Sequence, residues 1–113
     1  MNIKVLTAAE RKYLNEKYTF SFDDKNVYVK VNNYARITAH PISENFYIKN
    51  DMRRMTISVM AISLWKSKYF GKHSLIDVQN AINYLKVSYQ EVNDETIDSA
   101  LKSIRTKDAE RYV

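Results

Sequence analysis

Hydrophobic residues change their spacing partway along the chain, and this change constrains the fold more than any other feature. Between Tyr18 and Ala39, apolar residues alternate with polar ones, which is the pattern of half-buried strands. After Asn50 they recur at intervals of three and four, which is the pattern of helices that pack on one face. The sequence therefore predicts an α+β fold, in which a small antiparallel β-meander precedes three helices.

The N-terminal part begins with a short helix and continues as the meander. Thr7 and Glu10 have the spacing of a capping box, which predicts a helix over 8–17. Asp23 to Asn26 is a turn signal between the first two strands, and Asn32 begins the loop before the third. We expect a three-residue loop, because it pairs the apolar face of the second strand (Val27, Val29, Val31) with that of the third (Ala35, Ile37, Ala39). A further edge strand is predicted at 45–49.

The C-terminal part, residues 50–113, is expected to be helical. A first helix is predicted from Asn50 or Asp51 to about Phe70, ending at Gly71, where a left-handed cap belongs. Its stretch 55–65 is apolar nearly all round, so we expect it to be the central, buried helix.

Two further helices are predicted from their capping residues. Ser74 caps a second helix and Asn93 caps a third, whose apolar residues continue to Ile104. The end of the chain, 109–113, is expected to be a short strand or a frayed tail.

Composition excludes several classes of protein. The chain has 113 residues, which fits one domain (1–113) made of a 1–49 part and a 50–113 part. Without cysteine it has no disulfides or thiolate sites, and a single glycine excludes glycine-rich phosphate loops. No apolar run reaches the ~18 residues of a membrane span, and no signal peptide is recognised. A cytoplasmic protein is the resulting expectation.

Residues 55–113 resemble a winged-helix module, a variant of the helix-turn-helix. The string from Thr96 to Ile104 is similar to the threonine-aliphatic and leucine-rich pattern of many third helices of such modules. The resemblance implies an opening helix over 55–69 and a third helix, over 94–104, of the kind that enters the DNA major groove. It also implies that Arg111-Tyr112-Val113 stands in place of the first wing strand.

Charge is distributed unevenly along the chain. Residues 1–72 contain 13 Lys and Arg against six acidic residues, a net charge of +7, whereas residues 73–113 have a net charge of −2. Basic groups beside aromatic ones suit phosphate contact combined with base stacking. The candidate contacts for nucleic acid or an acidic partner are those that flank the predicted central helix: Lys49, Arg53, Arg54, Lys66, Lys68 and Lys72.

Two pairs of cations strengthen this interpretation. Arg53 and Arg54 would lie at the N-terminus of the first helix, where cations oppose the helix dipole unless an anion lies nearby. Lys30 and Arg36 would share the solvent face of the meander, where like charges on adjacent strands are unfavourable without an anion between them. We take this face as a second candidate contact surface.

The third helix points to a protein contact instead. Asp94, Glu95 and Asp98 make it acidic, which suits binding to a basic protein surface better than binding to DNA. Trp65 and Tyr69 are the aromatic candidates for such a protein interface.

No arrangement of residues suggests catalysis. His40 and His73 lie far apart, and no nucleophile, base and orienting group share a recognisable spacing. We therefore expect no enzyme, no metal, no cofactor and no small-molecule substrate.

These observations define two functional hypotheses. Asn, Lys, Ile and Tyr make up 41 of the 113 residues, a bias typical of AT-rich genomes and their phages. We expect a small binding protein of phage or mobile-element origin that contacts DNA or RNA through these basic residues, and this hypothesis includes a homodimer formed through the acidic C-terminal helices. The alternative is a phage-encoded inhibitor or adaptor, similar in size and composition to anti-CRISPR proteins, that blocks a nucleic-acid-processing protein.

Overall fold

The computed structural model describes residues 3–50 and 53–111, with the backbone alone at Asn50, Arg53 and 105–111. It confirms the α+β class. The elements, in chain order, are α1 (Ala8–Lys17), β1 (Tyr18–Phe22), β2 (Asn26–Val31), β3 (Arg36–Pro41), β4 (Phe46–Asn50), β5 (Arg53–Ile57), α2 (Val59–Leu64), a π-helical segment (Trp65–Tyr69), α3 (Leu75–Val87) and α4 (Asp94–Arg111).

Helix α1 has the predicted bounds, and its capping box is present. The Glu10 amide donates to Thr7 Oγ1 at 3.1 Å, and the Thr7 amide donates to Glu10 Oε1 at 3.2 Å. The two side chains thus satisfy backbone donors that a helix start leaves unpaired. Leu14 is buried, whereas Tyr13 is half exposed.

The first three strands form an antiparallel sheet in the order β1-β2-β3, but the predicted register of β3 is wrong by one residue. Val31 pairs with Arg36 rather than Ala35, because the connecting loop has four residues. Ala35 closes the loop in the left-handed region at φ 52°, and Asn32 anchors it by donating to the Glu16 carbonyl at 2.7 Å. Most of β3 is exposed on both faces, so burial does not select its register. The length of the loop sets the register instead.

Strands β4 and β5 form a separate two-stranded antiparallel ribbon, which replaces the expected start of a long helix. Asn50 belongs to β4, and Asp51 lies outside the described residues. The helix begins only at Val59, where Ser58 Oγ accepts from the Ala61 amide at 3.3 Å. The alternation of polar and apolar residues over 54–57 explains the strand, because one face of the ribbon is buried.

The central helix is α3, not the apolar stretch 55–65 that the sequence favoured. Nine of its 13 residues are buried, whereas α2 exposes Val59 and Met60 at its start. The predicted caps are confirmed, since Ser74 Oγ accepts from the Asp77 amide at 3.1 Å and Asn93 Oδ1 accepts from the Thr96 amide at 2.9 Å. Gly71 also adopts the predicted left-handed conformation, at φ 85°.

The winged-helix packing is not confirmed. The expected opening helix is a strand as far as Ile57, and α4 continues to Arg111, where the first wing strand was expected. Tyr112 and Val113 lie outside the described residues.

Buried side chains of both sheets and of all four helices belong to one apolar cluster. Helix α3 contributes its Leu and Ile residues to this cluster, and the inner faces of the two sheets supply further buried side chains. This arrangement leaves the outer face of the β4–β5 ribbon in solvent.

Candidate nucleic-acid interface

The β4–β5 ribbon presents basic and aromatic side chains on its outer face. Strand geometry alternates the two faces, so the ribbon buries Phe46, Ile48, Met55 and Ile57. The exposed set on the outer face is Tyr47, Lys49, Arg54 and Thr56.

Two cations face each other across this ribbon. Lys49 is the direct cross-strand partner of Arg54, and their side chains share the exposed face. The Arg54 guanidinium carbon lies 4.6 Å from the centroid of the Tyr47 ring, a cation–π distance. Within the described residues, no carboxylate lies within ion-pair distance of either cation. The ribbon therefore holds positive charge that this part of the chain does not neutralise.

An aromatic cluster lies at the end of β1. Phe22, Trp65 and Phe70 meet edge to face with ring centroids 5.0 to 5.4 Å apart. Trp65 is buried, but Phe70 is 58% exposed. The Lys66 amine lies 5.1 Å from the centre of the Phe22 ring and donates to the Asp23 carbonyl oxygen at 3.2 Å.

A cleft of about 460 Å³ opens beside this cluster. Its aromatic lining comes from Tyr18, Phe20, Trp65 and Phe70, and Lys72 lies on its rim. Its polar lining includes the residues Asn15, Thr19, His73, Ser74 and Asp77.

The acidic group in this cleft is compensated from within the protein. Asp77 Oδ1 lies 3.8 Å from Nη1 of the buried Arg11 and accepts a hydrogen bond from Asn15 at 3.3 Å. Lys72 is exposed, and no carboxylate of the described residues pairs with it. The cleft rim is therefore attractive to anions in spite of its aspartate.

The ribbon and the cleft adjoin at one tyrosine. Tyr18 lines the cleft, and its hydroxyl donates to the Lys49 carbonyl oxygen at 3.2 Å. We call the ribbon's outer face and this cleft together the basic surface.

The structure separates the three lysines that follow α2. Lys66 contacts the end of β1, and Lys72 lies at the cleft. Lys68 instead lies 5.4 Å from the Tyr69 ring centre and interacts electrostatically with Asp98 of α4. Lys68 is therefore turned toward the acidic helix rather than toward the basic surface.

The predicted pairing of Lys30 with Arg36 on one face of the meander is wrong. The shifted register places Lys30 opposite Ile37 and Arg36 opposite Val31, so the two cations lie on opposite faces. The second candidate surface therefore does not form from this pair.

The argument from the helix dipole is also wrong for Arg53 and Arg54. Both residues belong to β5, six and five positions before α2 begins at Val59. The side chain of Arg53 lies outside the described part of the structure.

Trp65 and Tyr69 are core residues rather than interface residues. They are 3% and 2% exposed, and the Trp65 indole N–H donates to the His73 carbonyl at 3.1 Å. Both rings lie on the buried side of the π-helical segment. The sequence had no signal for this segment, because a four-residue spacing also fits an ordinary α-helix.

The acidic residues of α4 border a different feature. Asp94 and Glu95 lie in its exposed first turn and line a groove of about 920 Å³ against Val59 and Met60 of α2. Asp98 pairs with Lys102 at 3.0 Å, so it is less available to a partner.

Three pKa shifts follow from these contacts. The pKa of Asp23 is lowered, mainly because the Tyr28 hydroxyl donates to it. The pKa of Asp98 is lowered chiefly by the hydrogen bond from Lys102. Burial lowers the pKa of His40, whose ring stacks on Phe46 at 4.4 Å between centroids.

Sequence reasoning missed three residues of the basic surface. Tyr47 and Lys49 are two positions apart and therefore lie on the same face of β4. If β5 had been predicted as a strand, this pattern would have placed Tyr47 beside Arg54. Phe70 was not selected as a site residue, because no local pattern distinguishes an exposed aromatic ring there from a buried one. Tyr18 was recognised only as a strand residue, because its contact with Lys49 spans 31 positions.

Comparison of the chain with protein-family models, curated proteins and solved structures finds no match. Among the described residues, no helix is both long enough and apolar enough to cross a membrane. Within the same residues, no three His, Asp or Glu side chains gather into a group that would hold a metal ion.

Proposed function

We propose that this protein binds nucleic acid through its basic surface and thereby regulates a nucleic-acid transaction. The observation that carries the proposal is the cross-strand pair of Lys49 and Arg54 on an exposed ribbon. Like charges directly opposite each other destabilise a sheet, and a phosphate between them would relieve that repulsion.

The stacking of Arg54 on Tyr47 supports phosphate recognition. A guanidinium offers a planar fork of donors that matches phosphate oxygens, and the ring limits the conformations of this fork. A two-stranded ribbon is also one of the elements that fit the DNA major groove. The net charge of +5 adds a long-range attraction for polyanions.

The test is fluorescence anisotropy of labelled single-stranded and duplex DNA at several salt concentrations. Replacing both ribbon cations (Lys49→Ala with Arg54→Ala) should weaken binding about tenfold and reduce the salt slope by roughly 1.5 to 2. The matched control is Lys86→Ala with Lys102→Ala, which removes the same charge from exposed helical positions. An equal loss in both double variants would show that net charge, not this ribbon, governs binding.

The groove between α2 and α4 favours a second candidate, an inhibitor of a nucleic-acid-processing protein. Met60 is 48% exposed there beside Val59, and Asp94 and Glu95 form an acidic rim. Apolar contact with an acidic border suits a basic amphipathic segment of a partner. The bias toward Asn, Lys, Ile and Tyr accords with a phage origin of such an inhibitor.

A basic amphipathic helical peptide serves as the probe for this second candidate. Met60→Glu should weaken its binding if the groove is the docking site, because a charge would then be buried. The control is Tyr89→Glu, since Tyr89 is 98% exposed outside the groove. Equal binding by the two variants would exclude the groove.

A further inference from the structure

Resting on the proposed nucleic-acid binding, we infer that the cleft beside Phe70 takes one unpaired base and that the protein prefers single strands. The base stacks on the exposed ring of Phe70, and the neighbouring phosphates lie between Lys72 and the ribbon. The ligand is thus a single-stranded polynucleotide, bound by base stacking as well as by charge.

Phe70 is an exposed aromatic ring with defined neighbours. Its ring meets Phe22 and Trp65 edge to face at 5.0 and 5.4 Å, yet more than half of the residue remains in solvent. It follows the π-helical segment directly and precedes Gly71, whose φ of 85° turns the chain away. A rigid ring of this kind offers a stacking face at little cost in conformational entropy.

The cleft suits a single base in size and in lining. Its volume of about 460 Å³ falls within the range of small-molecule sites. Phe20 and Trp65 add to the apolar wall, while Asn15 and Thr19 bring polar groups to the edge. Apolar walls with a few polar groups are what a planar heterocycle with hydrogen-bonding edges requires.

Positive charge lies on the rim of the cleft and on the outer face of the ribbon. Lys72 is on its rim, and Tyr18 connects its wall to the backbone of Lys49 through a hydrogen bond of 3.2 Å. In this proposal the bound strand runs from the ribbon to Lys72 and crosses the opening of the cleft. Such a combination of a basic track with an aromatic platform is typical of single-strand binding.

Duplex DNA can contact the cations of this site but does not fill its cleft. Its bases are stacked and paired, so they reach a side pocket only if they are unstacked at a cost in free energy. The ribbon would still contact duplex phosphates, but the cleft would stay without a base. The difference in affinity between the two forms of DNA therefore isolates the contribution of the cleft.

The experiment measures anisotropy of a short labelled single strand and of the same sequence as a duplex, with the full chain. Phe70→Leu should weaken single-strand binding about tenfold and leave duplex binding unchanged, since leucine packs but offers no stacking face. Phe70→Trp should keep the wild-type affinity for the single strand. Tyr89→Leu is the control, because it removes an exposed aromatic ring outside the cleft. Thermal melting confirms that each variant is folded.

The outcomes separate this inference from the proposed function. Loss of binding in the ribbon variant but not in Phe70→Leu would overturn the base site and leave phosphate binding intact. Equal affinity of the wild-type protein for the single strand and for the duplex would overturn the base site as well. Absence of binding to either DNA at low salt would overturn the proposed function and this inference together.

Discussion

Helix α3 and the β4–β5 ribbon both carry polar side chains, but they differ in burial and in partners. The buried polar side chains of α3 hydrogen-bond within the protein, whereas the exposed cations of the ribbon have no carboxylate partner among the described residues. Asn80 is buried, and its Oδ1 accepts from the Leu6 amide at 2.7 Å. Gln79 is buried as well, and its Oε1 accepts from the amide and the hydroxyl of Ser58 at 2.7 and 2.8 Å. These bonds connect α3 to segments 74 and 21 positions away, so the polar residues of this helix organise the fold.

The ribbon shows the opposite arrangement. Lys49 and Arg54 are charged, exposed and opposite each other, and no described carboxylate pairs with them. Nothing in the packing of the fold requires two cations at these positions. The comparison teaches that internally paired polar groups serve the fold, whereas the exposed charges of one sign on the ribbon are the basis of the proposed contact with a polyanion.

The largest expected effect tests the structural side of this comparison. Asn80→Ala leaves the buried Leu6 amide without an acceptor, so the free energy of unfolding should fall by about 2 to 3 kcal/mol. Urea denaturation measures the loss, and Lys86→Ala, exposed on the same helix, should change it by less than ~0.5 kcal/mol. An unchanged stability in Asn80→Ala would mean that this hydrogen bond does not organise the fold.

A smaller effect tests the functional side. Arg54→Lys keeps the charge of the ribbon but loses the planar fork and its stacking on Tyr47, so DNA affinity should fall about threefold. The unfolding free energy should stay within ~0.5 kcal/mol of wild type, because Arg54 is exposed. A lower stability with unchanged DNA affinity would show that Arg54 stabilises the fold, as the polar residues of α3 do, and does not contribute to DNA binding.

The smallest effect concerns pH. Burial against Phe46 lowers the pKa of His40 below its ordinary value of 6.5, so the folded state favours the neutral ring. The stability is therefore fully present above pH 6.5 and falls as the pH decreases toward the lowered pKa, where the unfolded chain takes up the proton first. Thermal melting between pH 7 and pH 5 should show this decline, and His40→Gln should flatten it. A decline of equal size in His40→Gln would assign the pH dependence to other groups.

Local signals predicted the parts of the fold whose interactions are close in sequence. The capping box of α1 and the caps Ser74 and Asn93 lie within three residues of the amides they bind, so the residues themselves specify those helix starts. The alternation of polar and apolar residues also predicted β1 and β2, because one face of each strand is more buried than the other.

The basic surface was less predictable. Lys49, Arg54 and Lys72 were identified as candidates from composition and proximity, but with the wrong local structure for Arg54. The sequence analysis extended the helical pattern of the longer apolar stretch back over the short alternation in β5. Because it predicted a helix there, it missed the contact between Arg54 and Tyr47. Lys30 and Arg36 were paired wrongly, because a shift of one residue moves a side chain to the other face.

The sequence by itself determined the α+β class, the caps and the excess of positive charge, since these depend on residues that are neighbours or on simple counts. Only the tertiary structure decided that α3 is central, that Trp65 is buried while Phe70 is exposed, and that Tyr18 joins the ribbon to the cleft. The physical reason is that burial and register depend on contacts between distant segments. Two aromatic residues five positions apart that line the same cleft can therefore differ in exposure, one packed in the core and the other open to solvent.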